Sequence, residues 1–463
     1  MPQSEELTTR GSLSSRVVRL MLRRKAEGLP AHVAARARLH ILDNVGIALA
    51  AHGALPVCAQ VLEALGQGGA SGDCSVIGSG RRLPPAFAAF ANSALAHALD
   101  YDDIHDIARL HPTTVTLPAA LAAAECVDAD MGAVLEAVAL GNELMCRLGA
   151  ACAPTGEGAG SDWFLTQLFG YLGGCLSACI VLGMEEEETV SALGFAYMQL
   201  AGGKQAAFGT GATARSIYPA FAAMGGVQAA LLARAGISGP EGALDGEAGM
   251  FRLYLGGDPA PGTIARLLDE QAWDWLDTQT KPWPCCRLSH PYVAAALALR
   301  EEVGVPSSGR IVVRVNPSAG KLCRPIAQRR APETLQDAKY SIPFITAFAL
   351  AHGRVDLSTL GADAAMDEAA RALAARIDIE ETLPDRPGHP PAEILVGTPR
   401  GPVMVRREAA PVPDTAAVKT KVLDCLRHAG HAADGEDVWN RMSAALEGGS
   451  AKAFLNALPQ HST

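Results

Sequence analysis

The sequence has few aromatic residues and no excess of basic charge, and both shortages narrow what the protein can bind. Aromatic residues make up 5% of the 463 residues, and 49 acidic residues outnumber 39 basic ones, which gives a formal net charge of −10. A chain of this charge offers no electrostatic footprint for nucleic acid, and no lysine- and arginine-rich run points to a membrane surface. We therefore expect neither nucleic acid nor a membrane as a partner.

Cysteines at metal-binding or redox-motif spacing and long uninterrupted apolar runs are also lacking. The 11 cysteines show no CxxC spacing, and an odd number of scattered cysteines is typical of reduced thiols in a reducing compartment. Residues 1–16 are polar and contain no apolar stretch of the kind found in signal peptides. The longest apolar run, residues 168–184, is interrupted by glycine and is better explained as a buried core helix than as a membrane span. We expect a cytoplasmic protein.

What is present is a long succession of helical patterns. From residue 15 to about residue 236, apolar residues recur at helical spacing, as Leu39, Leu42 and Val45 do. Several of these segments begin at proline or at an acidic cluster and end at glycine, as helices commonly do. The sequence therefore predicts an all-helical first half.

The pattern of apolar residues changes after Lys281, from helical spacing to short segments typical of strands. Short β-branched segments at residues 310–315, 376–380, 393–396 and 403–406 predict strands, and the last two flank a hairpin turn. Strands that follow one another in this way suggest an antiparallel sheet. The chain returns to helix from residue 415 to residue 458. We predict a multidomain α and α+β protein, in which a large all-helical domain (1–275 plus 412–463) carries an inserted, smaller α+β lid domain (276–411).

The densest polar cluster covers residues 96–114, AHALDYDDIHDIARLHPTT. Asp100 directly follows an apolar segment and is expected at the buried end of the cluster. His111 is expected at the N-cap of the next helix, where the helix dipole favours a neutral imidazole or an anionic ligand. A carboxylate and an imidazole held together can act as general base and general acid. The alternative is a solvated acidic loop that caps a helix.

Lys281 belongs to a second notable segment, TKPWPCCRLSH at residues 280–290. Pro282 and Pro284 keep its backbone stiff and extended, and it lies at the predicted domain boundary, where ligand sites tend to form. A lysine there can protonate a carbanion or bind a carboxylate. The alternative is a surface lysine before a rigid linker.

Glycine-rich stretches occur at residues 155–160 and 209–211. Neither follows a predicted strand, so the context of a phosphate-binding or dinucleotide-binding loop is missing. We predict that both are loops at helix ends.

Taken together, these segments resemble the MmgE/PrpD family of dehydratases, decarboxylases and epimerases of small carboxylic acids. The likeness runs through LHILDNVGIALAAHG, ALAHALDYDDIH with HPTT, residues 247–250, KPWPCCRLSH and DAKYSIPF. The resemblance implies a helical domain with an inserted α+β lid, a homodimer formed through the helical domain, and no metal or organic cofactor.

The resemblance also implies a reaction, in which a proton is removed next to a carboxylate. Water or CO₂ then leaves, or the proton returns on the other face. By motif, Asp100, His111 and Lys281 match catalytic positions: Asp100 as base or base-orienter, His111 as acid/base, and Lys281 as proton donor or carboxylate clamp. We predict a cofactor-independent lyase or isomerase that acts on a small carboxylic acid, with dehydration favoured over decarboxylation and epimerisation.

The sequence departs from the family pattern at positions expected to contact the substrate. Phe164 stands where much of the family has a histidine, and Arg215 and Tyr218 replace a family lysine and a nearby histidine. In the lid, Lys321 replaces a tyrosine ahead of Arg324. Phenylalanine in place of histidine removes a polar contact of about 1–3 kcal/mol and adds apolar area. We therefore expect a substrate with fewer carboxylates or a larger apolar part than a tricarboxylate, and weak turnover of methylcitrate and cis-aconitate.

Two other functions remain open on the sequence. One is a non-catalytic paralogue, which the substituted pocket positions suggest. The other is a metal-dependent hydrolase, since the polar cluster contains the residue types that bind hard or borderline cations. Its candidate ligands would be His97, Asp100, Asp102, Asp103, His105 and His111.

Overall fold

The structure is a computed structural model that describes residues 11–67, 71–152, 161–207, 212–386, 388, 391–409 and 411–460. The two predicted glycine-rich loops, 155–160 and 209–211, lie outside the described residues. The helices in chain order are α1 Leu13–Glu27, α2 Ala31–Ala54, α3 Pro56–Gly66, α4 Pro85–Ala98, α5 Thr113–Val127, α6 Met131–Cys152, α7 Leu165–Val181, α8 Glu186–Met198, α9 Pro219–Arg234, α10 Met250–Leu255, α11 Pro261–Leu267, α12 His290–Val303, α13 Pro317–Gly320, α14 Ile326–Arg330, α15 Leu335–Lys339, α16 Ile342–His352, α17 Glu368–Ala374, α18 Thr415–His428, α19 Gly435–Ala445 and α20 Ala451–Asn456.

Helix α7 lies at the centre of the helical part, and every one of its residues is buried. It packs against α5, α6 and α9. A helix that is apolar all round needs neighbours on every side, and small residues let those neighbours approach. A Cβ on Gly141 of α6 would meet Ser177 Oγ of α7 at 2.0 Å and Gly173 O at 2.8 Å. Glycine therefore sets the close crossing of α6 and α7.

The prediction of an all-helical first half is wrong in detail. The strands are β1 Cys74–Ser75, β2 Arg82–Leu83, β3 Ile104–His105, β4 Thr278–Gln279, β5 Ile311–Val315, β6 Ile377–Glu381, β7 Ala392–Thr398 and β8 Gly401–Arg407. The first three of these fall among the helices. Short pairs of this kind carry no apolar alternation long enough to detect. The pairing of β3 with β4 joins the polar cluster to the segment immediately before Lys281.

The larger sheet has the strand order β6-β5-β7-β8. The hairpin of β7 and β8 was predicted and is antiparallel, but β5 and β6 pair in parallel, from Ile311↔Ile377 to Val315↔Glu381. The expected antiparallel sheet is therefore a mixed one. A parallel pair requires a crossover connection, and helices α13 to α17 supply it.

Buried apolar residues form two separate cores. The first draws on residues 13–275 and 418–458, together with Leu357. The second, between residues 285 and 405, packs α12 and α16 against the mixed sheet. The structure is thus mainly helical with a smaller α/β part. The predicted domain boundaries, and the description of residues 276–411 as an inserted lid, stay predictions.

None of the helices in the described part of the chain is, taken singly, long and apolar enough to cross a bilayer. One pair, Ala31–Ala54 with Pro56–Gly66, passes a test of length and composition when taken together, and it is bent by 92°.

Candidate active site

The loop between α4 and α5 brings the polar cluster into the interior. Helix α4 ends at Ala98, and Asp100 follows with a left-handed backbone (φ 58°) that turns the chain sharply. Asp100 is 3% exposed, so the expectation of a buried position is confirmed and the solvated-loop alternative fails. Pro112, rather than His111, is the N-cap of α5, because its carbonyl accepts the first helical N–H bonds. His111 lies one residue before the cap.

Lys281 is fully buried against Asp100, which rules out the surface-lysine alternative. Its Nζ donates to Asp100 Oδ1 at 2.9 Å and to the Asp100 carbonyl at 2.8 Å, and lies 3.8 Å from Asp102 Oδ1. Burial disfavours the ammonium, but the carboxylates of Asp100 and Asp102 outweigh it and raise the pKa of Lys281. Burial also opposes the charge of Asp100, but Lys281 and His97 outweigh it and lower the pKa of Asp100. The pair is held in its charged form.

His111 is a neutral imidazole with a defined tautomer. Its Nδ1 lies 2.6 Å from the Asp103 carbonyl, which can only accept, so Nδ1 carries the proton and the lone pair is on Nε2. Burial lowers the pKa of His111 to about 4, against the opposing effect of Asp102. Asp102 Oδ2 accepts from His97 Nδ1 at 2.7 Å and lies 3.5 Å from His111 Nδ1. The protonated Nδ1 thus stands beside a buried carboxylate, while Nε2 keeps its lone pair.

The structure brings together three of the six residues proposed as metal ligands. Potential ligand atoms of His97, Asp102 and His111 lie within 4.8 Å of one another. Asp103 instead accepts from Thr113 Oγ1 at 2.5 Å, and His105 Nε2 contacts the Asp274 carbonyl at 2.9 Å. The Lys281 ammonium beside Asp102 adds a positive charge close to where a cation would bind, and like charges repel.

A cavity of ≈ 210 Å³ opens between the two cores, and the three predicted catalytic residues line it. Its described lining consists of Asp100, Ile104, Asp106, Arg109, His111, Ser161, Trp163, Phe164, Leu165, Lys204, Arg215, Tyr218, Lys281, Cys286, Arg287, Leu288, Tyr340 and Gly388. Five of these side chains are cationic and two are carboxylates. In a protein with a net charge of −10, this local excess of positive charge suits a small anion.

The cations lie on different elements around the cavity. Arg287 forms two 2.9 Å hydrogen bonds to the carboxylate of Asp106. The Arg215 guanidinium lies 3.3 Å from the centre of the Tyr340 ring. Burial lowers the pKa of Lys204, and the positive charges of Arg109 and Arg215 lower it further. An anion bound among these groups would relieve that repulsion.

The aromatic replacements form one wall. The rings of Phe164 and Tyr218 stack with centroids 4.1 Å apart and 18° between their planes, and Tyr218 meets His97 edge-on at 4.9 Å. Phe164, Arg215 and Tyr218 thus lie where the sequence placed them, in the cavity lining. Whether they contact substrate stays a prediction.

The structure does not bring Lys321 and Arg324 to the cavity. Both are exposed, neither is among the described lining residues, and Arg324 forms an ion pair with Glu381. They lie in the turns that connect β5 to α14. The charge of Lys321 nevertheless helps to lower the pKa of Lys204, which does line the cavity, and contact between Lys321 or Arg324 and substrate stays a prediction.

Sequence reasoning missed several lining residues, chiefly Arg109, Lys204, Arg287 and Tyr340. Three of them lie inside the quoted motifs: Arg109 in the polar cluster, Arg287 in KPWPCCRLSH and Tyr340 in DAKYSIPF. Basic residues within the motifs of an acidic chain are candidates for binding an anion, so the two arginines could have been identified from the sequence. Lys204 lies outside every motif, and no sequence signal marked it.

Comparison with known proteins adds named relatives. The chain is 29% identical to cis-aconitate decarboxylase of Aspergillus terreus over 308 residues, which span 63% of this chain and 61% of that protein. It is 27% identical to the cis-aconitate decarboxylase-like protein oryM of Aspergillus oryzae over 82% of both chains. It is also 27% identical to human cis-aconitate decarboxylase, over 65% of this chain and 62% of that one.

Two domain families match in the order that the motifs suggest. The MmgE/PrpD N-terminal domain matches residues 16–262, and the MmgE/PrpD C-terminal domain matches residues 283–389. Together they cover the polar cluster, the cavity wall and most of the smaller core, and Lys281 lies in the short connection between them. The chain belongs to the MmgE/PrpD family.

Proposed function

We propose that the protein is a lyase that moves a proton next to a carboxylate of a small organic acid. The observation that carries this proposal is a cation-lined cavity in which the neutral imidazole of His111 and the buried Lys281–Asp100 pair share one wall. A general base and a fixed positive charge are the two groups needed to form and stabilise a carbanion beside a carboxylate.

His111 is the proposed base. Its Nε2 carries the lone pair, and its lowered pKa keeps it unprotonated at neutral pH. When Nε2 takes the proton, the carboxylate of Asp102, 3.5 Å from Nδ1, would stabilise the resulting imidazolium. A base of this kind contributes roughly 10²–10⁴-fold to a rate.

Asp100 is better suited to orient Lys281 than to accept a proton, because its carboxylate already binds the Lys281 ammonium, whose charge helps to lower its pKa. Lys281 would bind the substrate carboxylate and the negative charge that develops next to it. Arg109, Lys204 and Arg215 would hold a second anionic group.

Loss of CO₂ is the outcome to test first. The sequence motifs favoured dehydration, whereas the curated relatives are named as decarboxylases. In a decarboxylation the bond to the carboxylate carbon breaks, its electron pair remains on the neighbouring carbon, and a proton replaces CO₂ there. In a dehydration the pair left by the removed proton expels hydroxide, which leaves as water once it is protonated.

A proton-exchange assay tests the proposal directly. The protein is incubated in deuterated water with a panel of hydroxy- and unsaturated di- and tricarboxylates, and NMR follows deuterium entry next to each carboxylate. We expect exchange with at least one acid, and a loss of at least ~100-fold in His111→Gln and Lys281→Met. The surface variant Lys419→Met is the matched control. Exchange that survives both active-site substitutions would contradict the proposal, and no exchange with any acid would favour a non-catalytic paralogue.

The cluster of His97, Asp102 and His111 gives the metal-dependent alternative a specific test. Dialysis against a chelator, followed by metal analysis and the same exchange assay, distinguishes the proposed metal-independent mechanism from the metal-dependent one. Under the proposed mechanism, chelation leaves the exchange rate unchanged. Loss of exchange on chelation and recovery with Zn²⁺ would replace the proposal by metal-dependent chemistry.

A further inference from the structure

Three consecutive backbone carbonyls in the loop directly after α4 each accept a hydrogen bond from a different lysine. The distances are 2.8–2.9 Å, and all three ammonium groups are buried. The pairs are Lys339 with the Leu99 carbonyl, Lys281 with the Asp100 carbonyl, and Lys421 with the Tyr101 carbonyl. We call Lys281, Lys339 and Lys421 the lysine clamp.

The clamp draws on three distant parts of the chain. Lys281 follows β4, Lys339 ends α15 in the smaller core, and Lys421 lies in α18 of the C-terminal tail. The three carbonyls directly follow the C-terminus of α4, next to the negative end of the helix dipole, so cations bind well there. Charge-assisted bonds of this kind are about twice as strong as neutral ones.

The middle residue of the clamped loop is the strained one. Asp100 has φ 58°, a left-handed conformation that non-glycine residues rarely adopt without support from their surroundings. Tyr101 is held further, because the Lys421 ammonium lies 4.0 Å from the centre of its ring and its hydroxyl donates to the Pro282 carbonyl at 3.3 Å. The backbone on both sides of Asp100 is therefore fixed.

We propose that Lys339 and Lys421 are positioning residues, which hold the loop 99–101 so that Asp100 presents its carboxylate to Lys281. The inference rests on the proposed function, in which the Asp100–Lys281 pair serves proton transfer. Neither positioning lysine is among the described residues that line the cavity, so each acts on the reaction through Asp100.

The environment of Lys339 agrees with this role. Burial lowers its pKa to about 8, an electrostatic cost that an apolar side chain of the same size would avoid. Lys421 also binds Asp43 Oδ2 at 2.9 Å, so its removal would leave a buried carboxylate without its cation. A test of Lys421 must change Asp43 at the same time.

The test uses Lys339→Met and the double variant Asp43→Asn/Lys421→Met in the full-length protein. Methionine keeps most of the side-chain volume and removes the donor. Lys419→Met, on the same helix as Lys421 but paired with Glu436 at the surface, is the matched control. Crystal structures give the Asp100 backbone angle and the Lys281–Asp100 distance, and hydrogen exchange reports on the amides of residues 99–101.

We expect Asp100 to leave the left-handed region or to separate from Lys281 in at least one clamp variant, and its neighbouring amides to exchange at least tenfold faster. Unchanged geometry and exchange in both variants would overturn the proposal. These measurements need no substrate, so they test the positioning role of Lys339 and Lys421 even if the proposed function fails.

Where the exchange assay identifies a substrate, kinetics give a second arm. Positioning predicts a fall in kcat of at least tenfold with KM within about threefold, and partial recovery of kcat in Lys339→Arg, which restores donors to the Leu99 carbonyl. A kcat within twofold of the wild-type value in both clamp variants would overturn the positioning role, while the proposed function would stand.

Discussion

The hydrogen bond from His111 Nδ1 to the Asp103 carbonyl decides which ring nitrogen can act on a substrate. The same burial that lowers the pKa of His111 to about 4 leaves its ring neutral across the physiological range. An exposed histidine, whose pKa is near 6.5, would already be half protonated at about pH 6.5.

This difference gives a pH prediction. Because the group must be neutral to act as a base, activity is lost as pH falls through its pKa. We expect kcat/KM to stay nearly constant from about pH 7 down to about pH 5 and to fall near pH 4. The profile is measured on the substrate found by proton exchange, with circular dichroism as a control for acid unfolding. An acidic limb centred near pH 6.5 in folded protein would contradict the assignment of His111.

Phe164 is the residue with the clearest predicted effect on specificity. Its ring stacks on Tyr218 in the cavity wall, where a histidine could instead donate a hydrogen bond to a carboxylate. We expect Phe164→His to raise kcat/KM for cis-aconitate or methylcitrate at least ~5-fold, since a hydrogen bond to a charged group contributes about 1.5–3 kcal/mol. Phe164→Leu, which removes the ring without adding a donor, is the control. An equal gain in both variants would assign the effect to space rather than to polarity.

The sequence could identify Asp100, His111 and Lys281 because each lies in a motif whose residue types are suited to acid–base catalysis or to binding a carboxylate. It could not show that Asp100 and Lys281 form a buried ion pair, since the two are 181 residues apart and meet only through tertiary packing. Lys204 shows the limit most clearly, because a lone lysine on a short 3₁₀ turn carries no local sign of the cavity it faces.

At the scale of elements, the helices and the hairpin of β7 and β8 were predictable, whereas the pairing of strands far apart in the sequence was not. Helix α6, Met131–Cys152, lies within the stretch from residue 15 to about residue 236 that was predicted to be helical, because apolar residues at helical spacing are visible in the sequence itself. The parallel pairing of β5 with β6 depends on the 61 intervening residues between Val315 and Ile377 folding back across the sheet, which no local pattern records.

The crossing of α6 and α7 gives a prediction at this scale. Gly141→Ala would place a Cβ 2.0 Å from Ser177 Oγ and 2.8 Å from the Gly173 carbonyl, so the helices must separate. We expect a loss of about 1–3 kcal/mol in the free energy of unfolding, as for other overpacked cores. Chemical denaturation followed by circular dichroism measures it.

Gly262 of α11 supplies the control, because a Cβ there meets nothing within 4 Å. We expect Gly262→Ala to be neutral or stabilising by up to about 1 kcal/mol, since alanine favours helix more than glycine does. If Gly141→Ala is no less stable than Gly262→Ala, close packing is not what requires glycine at that crossing.

At the scale of the whole molecule, the two cores meet at the cavity through charged and polar side chains. Lys281 and Lys339 reach from the smaller part to the loop 99–101, and Arg287 reaches to Asp106. The cytoplasmic location and the homodimer through the helical domain stay predictions. Sedimentation equilibrium would test the dimer by finding twice the mass of the chain.

These buried links predict that the two cores unfold together. If the smaller core unfolded alone, Asp100 would lose its cation while still held in the helical part, and breaking such a buried pair costs about 3–5 kcal/mol. We expect differential scanning calorimetry to show one transition with equal calorimetric and van't Hoff enthalpies. Asp100→Asn/Lys281→Met, which removes this ion pair, should let the transition broaden or split, whereas the surface variant Lys419→Met should leave it single. Two separate transitions in the wild-type protein would show that the cores fold independently and that the cavity between them forms only when both have folded.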